Sequence, residues 1–179
     1  MARFWKFYWA LTAITLGLYL TMGIWSLPKI GSIADGMMAF DLRPFGYDTQ
    51  YAQSFLYALF KDGPEGRDFY LNVQQRLDFI FPAASGLLIL TTIHIFSTGF
   101  APLLRSCLLI LPFFGTAFDY AENFYVGAML RKLPDLPDTA TVHTASTMTM
   151  LKSGFVTVSL LVMIVLISRA IITRRKVAK

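Results

Sequence analysis

The chain has 179 residues, 55% of them hydrophobic, and a mean hydropathy of +0.54, which excludes an ordinary soluble domain. A net charge of +5 does not mark a nucleic-acid binder, because the basic residues stand beside hydrophobic runs and form no patch. A single cysteine, Cys107, excludes an intrachain disulfide and any CxxC redox or zinc site.

A helix needs about 20 apolar residues to cross a hydrocarbon core of about 30 Å, and in lipid only a helix satisfies its own backbone along such a run. The first such run covers residues 4–27. Its basic start and the small triplet Ser32-Ile33-Ala34 resemble a secretory signal. The apolar core is too long for one and the triplet too far beyond it, so an uncleaved anchor is expected.

Residues 28–78 read as a structured loop. Pro44 and Gly46 mark a turn, and Asp48 or Thr49 can cap a helix over residues 50–60. Ala52, Phe55, Leu56 and Leu59 fall on one stripe of that helix and must pack on something. KDGPEG breaks it. A second helix starts near Glu65 and continues into the second span, residues 79–97, with Pro82 tolerated or kinking it. The third and fourth spans cover residues 103–126 and 148–172. The expected fold is all-α: one integral membrane domain, a four-helix bundle with a small helical extracytoplasmic cap between its first two spans.

Orientation follows from Lys and Arg beside the spans. Arg3 and Lys6 precede the first, Arg105 sits between the second and third, and Arg174, Arg175, Lys176 and Lys179 end the chain. Both termini are therefore expected in the cytoplasm, with the cap outside.

Helix rise converts position to depth. Asp119 lies about 21 Å above the inner boundary, Glu122 and Lys152 about 26 Å, and Asp78 about 28 Å. Ionisable groups on three spans thus converge on one level near the outer edge of the hydrocarbon. Asp119, Glu122 and Asn123 share one side of their helix, Thr149 and Lys152 share another, and Arg67, Tyr70, Gln74 and Asp78 follow one stripe. A charge facing lipid costs about 2.5–3.5 kcal/mol, so these faces should turn towards one another. Three acids against Lys152 leave a negative remainder. It must be met by Arg67 or Arg131, by a bound cation, or by a carboxyl that keeps its proton.

This ring has two readings. Polar residues glue membrane helices together, at about 1–2 kcal/mol each or less, and intramembrane acids also mark functional sites. In the second reading Asp119 or Glu122 is the acid or base, and Lys152 sets protonation or holds an anionic head group. Arg67, Tyr70, Gln74, Asp78, Asn123 and Thr149 then line a ligand pocket. His143 could approach Asp78 or Glu122 in a zinc-like set, but no H-x-x-x-H or H-E-x-x-H spacing supports it, so no metal site is expected. His94 is too deep on the opposite side to join. With two histidines on opposite faces, bis-histidine haem is excluded, and no cofactor is expected. Gly17, Gly23 and Gly154 offer places for close helix contact.

Gly66-Arg67-Asp68-Phe69-Tyr70, Asp78-Phe79-Ile80-Phe81-Pro82, Asp119-Tyr120-Ala121-Glu122-Asn123 and Thr149-Met150-Leu151-Lys152 occur in that order over residues 40–170. The combination resembles an uncharacterised family of small four-span bacterial integral membrane proteins. The resemblance implies the four-span fold and one site shared by Asp78, Asp119, Glu122, Asn123 and Lys152; it implies no activity. The expected function is binding or processing of a lipid-like or amphipathic small molecule in the outer half of a bacterial inner-membrane protein. The competing expectation is a non-catalytic accessory or assembly subunit. Expected partners are membrane lipids, with another membrane protein or a second copy as the further class, and no nucleic acid.

Overall fold

The computed structural model describes residues 2–177, and the side chains of residues 2–173. Lys179 and the side chains of Arg174, Arg175 and Lys176, used above for orientation, lie outside that range. The protein is all-α, and among the described residues four helices are long and apolar enough to cross a membrane: α1 (Ala2–Ile33), α3 (Glu65–Phe96), α4 (Pro102–Lys132) and α5 (Thr139–Val177). A shorter helix, α2 (Thr49–Phe60), lies between the first two. The spans run alternately up and down. α4 packs along both α3 and α5, and α3 also receives α1.

Each of the four helices continues past the apolar run expected from sequence at the end away from the termini. The apolar run ends where lipid ends, whereas helical hydrogen bonding continues as long as side chains give it something to pack on. Those extensions, together with α2, enclose the larger core. Ile30, Phe40, Phe55, Leu56, Tyr70 and Leu130 are fully buried there, each contributing about 1.5–3 kcal/mol by removal from water. Towards the other end, large apolar residues such as Ile14, Phe113 and Val165 face outward, as lipid permits.

α2 forms as its sequence requires. Asp48 accepts the Tyr51 amide at 2.7 Å as N-cap, and the stripe Ala52, Phe55, Leu56 and Leu59 is entirely buried. Gly46 takes a positive φ of 83° in the turn before it. Gly66 lets the start of α3 cross α2 so closely that a Cβ would strike the Leu59 carbonyl.

The glycines that bring spans together are not those expected. Gly17, Gly23 and Gly154 have nothing within 4 Å of a notional Cβ, whereas Gly115 would meet Val156 at 3.1 Å and Gly86 would strike Thr116. Hydropathy places a glycine at a depth but gives no azimuth around the bundle, which is set by the neighbouring helices.

Two spans contain a π-helical turn, Met22–Ser26 in α1 and Tyr70–Gln74 in α3, and these turns face each other. The first precedes Pro28, whose ring would crowd the carbonyl four residues back in a regular α-helix. The second has a consequence for the site described next.

Candidate functional site: a buried cluster of four acids around one lysine

Residues four apart drift by about 40° around a regular α-helix. The wide turn at Tyr70–Gln74 takes that drift back, so Tyr70, Gln74 and Asp78 all point inward and are 1%, 0% and 4% exposed. Arg67 leaves the stripe. Its Nε donates to Asp68 at 2.9 Å and its guanidinium lies 5.1 Å from the Phe60 ring, so it is a correction to the expected pocket.

Pro82 shapes the next contact. Without an N–H it cannot serve the Asp78 carbonyl four residues back. Asn123 of α4 supplies the missing donor, Nδ2 to the Asp78 carbonyl at 3.2 Å, and also donates to Asp119 Oδ1 at 3.1 Å. The Asp-x-x-x-Pro and Asp-x-x-Glu-Asn stretches are thus two halves of one hydrogen-bonded joint. Gln75 braces it, donating to the Asn123 carbonyl at 2.9 Å past Gly127, where a Cβ would lie 2.6 Å from the amide.

The Lys152 ammonium is the hub. It lies 3.0 Å from Asp41 Oδ1 and 3.4 Å from Asp119 Oδ1, and it contacts Glu122 Oε2. Glu122 is completely buried and its other oxygen accepts from Thr149 at 2.6 Å. Tyr70 donates to Asp41 Oδ2 at 3.1 Å, Gln74 donates to Asp78 Oδ1 at 2.9 Å, and Ser26 of the opposing π turn donates to Gln74 at 2.6 Å. A continuous polar chain therefore runs from α1 through α3 and α4 to α5.

Asp41 is the member that sequence reasoning missed. It comes from the loop after α1, on the 3-10 turn Phe40–Leu42. Phe40 fixes that turn: it is fully buried, with its ring centroid 4.5 Å from that of Tyr47 and 4.8 Å from that of Phe55. No periodicity or depth argument reaches a residue placed in this way. Tyr47 enters by the same loop, its amide donating to Ser146 of α5 at 2.8 Å. Burial, reinforced by the neighbouring Glu122 carboxylate, pushes the Tyr47 phenol well above its ordinary pKa, so it stays an O–H at neutral pH.

The charge does not close. Asp41, Asp119 and Glu122 surround one ammonium and Asp78 lies beside them against Gln74, a formal minus three if every carboxylate were ionised. Neither Arg67 nor Arg131, the expected compensators, forms an ion pair with the cluster among the described residues. Beside the cluster, Asp78 Oδ2 and Tyr47 Oη are buried with no hydrogen-bond partner among the described residues. Oxygens of Asp41, Asp119 and Glu122 lie within 4.8 Å of one another, a metal-ligand spacing whose centre is taken by the Lys152 ammonium. His143 is exposed and stays out of the cluster. On the cytoplasmic side of the expected orientation, His94 accepts from Arg105, as its distance from the ring required.

Access is from one edge. The side chains of Lys152, Asp41 and Asp119 are 12%, 12% and 13% exposed, while Glu122 behind them is sealed. Beside Asp119 a cavity of about 10 Å³, lined by Pro82, Gly86 and Ser159 among others, has room for about one water.

Compared with known proteins, the chain matches no protein-family model, no curated protein and no solved structure.

Proposed function

We propose that this is a bacterial inner-membrane protein, with both termini cytoplasmic, whose buried cluster is an acid–base site for the polar group of a lipid-like or amphipathic small molecule. The supporting observation is the uncompensated charge: three carboxylates share one ammonium, a fourth, Asp78, is buried beside them with only Gln74 as its partner among the described residues, and two buried polar atoms in the same region are unpaired. Helix glue gains nothing from surplus acids, because each unpaired buried charge is destabilising. A site that takes up and gives back protons, or receives a donor from a ligand, needs them.

In this reading the ligand's polar group meets the half-open edge at Asp41, Asp119 and Lys152, and its apolar body stays in the lipid alongside. Asp119 is the proton donor or acceptor at the edge. Glu122, itself fixed by the Thr149 hydroxyl, holds Lys152, which is available to an anionic group. Tyr70, Gln74, Asp78 and Asn123 set the geometry behind them.

The alternative, an accessory or assembly subunit with a structural cluster, is favoured by one observation: the cavity beside Asp119 holds no more than about one water. Asp119→Asn and Glu122→Gln separate the two readings, with folded yield and co-purified small molecules measured by mass spectrometry. The site reading expects Asp119→Asn to fold at wild-type yield and to lose a co-purified amphiphile. Normal folding with an unchanged small-molecule profile in both variants overturns it.

A further inference from the structure

Charge is divided between the two ends of the bundle. All of the Asp and Glu residues fall within residues 35–78 and 119–138, on the side of the acid cluster and its loops. The opposite end has none, yet it carries Arg3, Lys6, Arg105, Arg169 and, by sequence, the four basic residues after Thr173. The structure brings that end together: Tyr8 of α1 hydrogen-bonds Thr92 of α3 at 3.0 Å, and Ile93 of α3 packs with Leu166 of α5.

Two arginines there are held by groups that carry no negative charge. Arg105, at the start of α4, lies with Nη2 3.1 Å and 3.2 Å from the His94 ring nitrogens and donates to the His94 carbonyl at 3.4 Å. Its Nε is buried with no acceptor. Arg169 of α5 lies 4.6 Å from the ring of Phe100, in the α3–α4 loop. The two guanidinium groups thus flank one short loop. Among the described residues every ion pair lies at the other end of the molecule.

We infer that this end is a binding site for an anionic phospholipid headgroup, with the phosphate held by Arg105 and Arg169 beside the α3–α4 loop. A guanidinium fork suits phosphate oxygens in pairs, and aromatic stacking fixes one fork in place without neutralising it. The site faces the membrane–water boundary by the depth of its helix ends, where headgroup phosphates lie. It is independent of the acid cluster and of any function assigned to that cluster.

The test uses the full chain in nanodiscs containing phosphatidylglycerol and phosphatidylcholine, with retained lipid counted by native mass spectrometry. Removing one arginine, as Arg105→Gln or Arg169→Gln, should lower phosphatidylglycerol retention about five-fold, and removing both about thirty-fold, with phosphatidylcholine unaffected. Either single variant suffices if the pair folds poorly. Inorganic phosphate should displace little of the lipid, since a free anion lacks the acyl anchor. Three results overturn the site: unchanged retention in the single variants, an equal loss from the control pair Arg174→Gln and Arg175→Gln, or full displacement by millimolar phosphate. The second would mean diffuse attraction to a basic end, and the third a soluble anion as the true ligand.

Discussion

The joint between Pro82 and Asn123 makes the sharpest prediction. Asn123→Leu keeps the side-chain size but removes the donor that serves the Asp78 carbonyl at 3.2 Å and Asp119 Oδ1 at 3.1 Å. Leaving one buried acceptor unpartnered costs about 1–3 kcal/mol. Interhelical hydrogen bonds in membranes fall at the low end, with measured values up to about 1.7 kcal/mol. A loss of about 1–2 kcal/mol is therefore expected, a shift of about 5- to 30-fold in the unfolding equilibrium. Pro82→Ala restores a backbone N–H for the Asp78 carbonyl, so in that background only the Asp119 contact is lost. The same Asn123→Leu change should then cost about 1 kcal/mol less, a coupling well above the scatter of independent sites. Reversible SDS unfolding in mixed micelles, followed by circular dichroism on the four proteins of the cycle, measures it. Equal cost in the two backgrounds would refute the claim that Asn123 replaces the hydrogen bond Pro82 cannot make.

Two further outcomes follow from the structure. Lys152→Met strips the shared cation from Asp41, Asp119 and Glu122 and should destabilise by about 3–5 kcal/mol, whereas adding Glu122→Gln should recover part of that loss; a double variant no more stable than the single one in the same unfolding assay would count against the hub. Asp138 accepts the Thr141 amide at 2.8 Å at the start of α5, which holds its carboxyl below the ordinary carboxylate range. A depressed folded-state value means stability that is present above the unfolded value and fades as pH falls through the folded one. The melting-temperature gap between wild type and Asp138→Ala should be constant from pH 5 to 7 and shrink below about pH 4; a gap that widens on acidification would contradict the cap.

Much of the site could be read directly from residue order. Asp119, Glu122, Asn123, Thr149 and Lys152 sit on long apolar helices, where a rise of 1.5 Å per residue and a 3.6-residue turn set depth and face with little freedom. Asp78, Tyr70 and Gln74 were legible as a stripe, but only the π turn at Tyr70–Gln74 keeps that stripe from drifting and drops Arg67 out of it. The stability of such a turn depends on what packs against it, here Ser26 of the opposing π turn.

Residue order by itself determined the membrane class, the number of spans, the helix in the long loop and the level at which the acids meet. These follow from hydropathy and helix geometry, which are local properties of a chain in lipid. Tertiary structure decided the rest. It brought Asp41 and Tyr47 into the cluster through a loop anchored by Phe40, and it selected Gly86 and Gly115 rather than Gly17 and Gly154 as the close contacts. It also paired Asn123 with the carbonyl that Pro82 leaves free. Each of these depends on the rotation of one helix about its axis relative to another, or on the path of a loop. Side-chain packing between distant residues sets both, and no repeat along the chain encodes either.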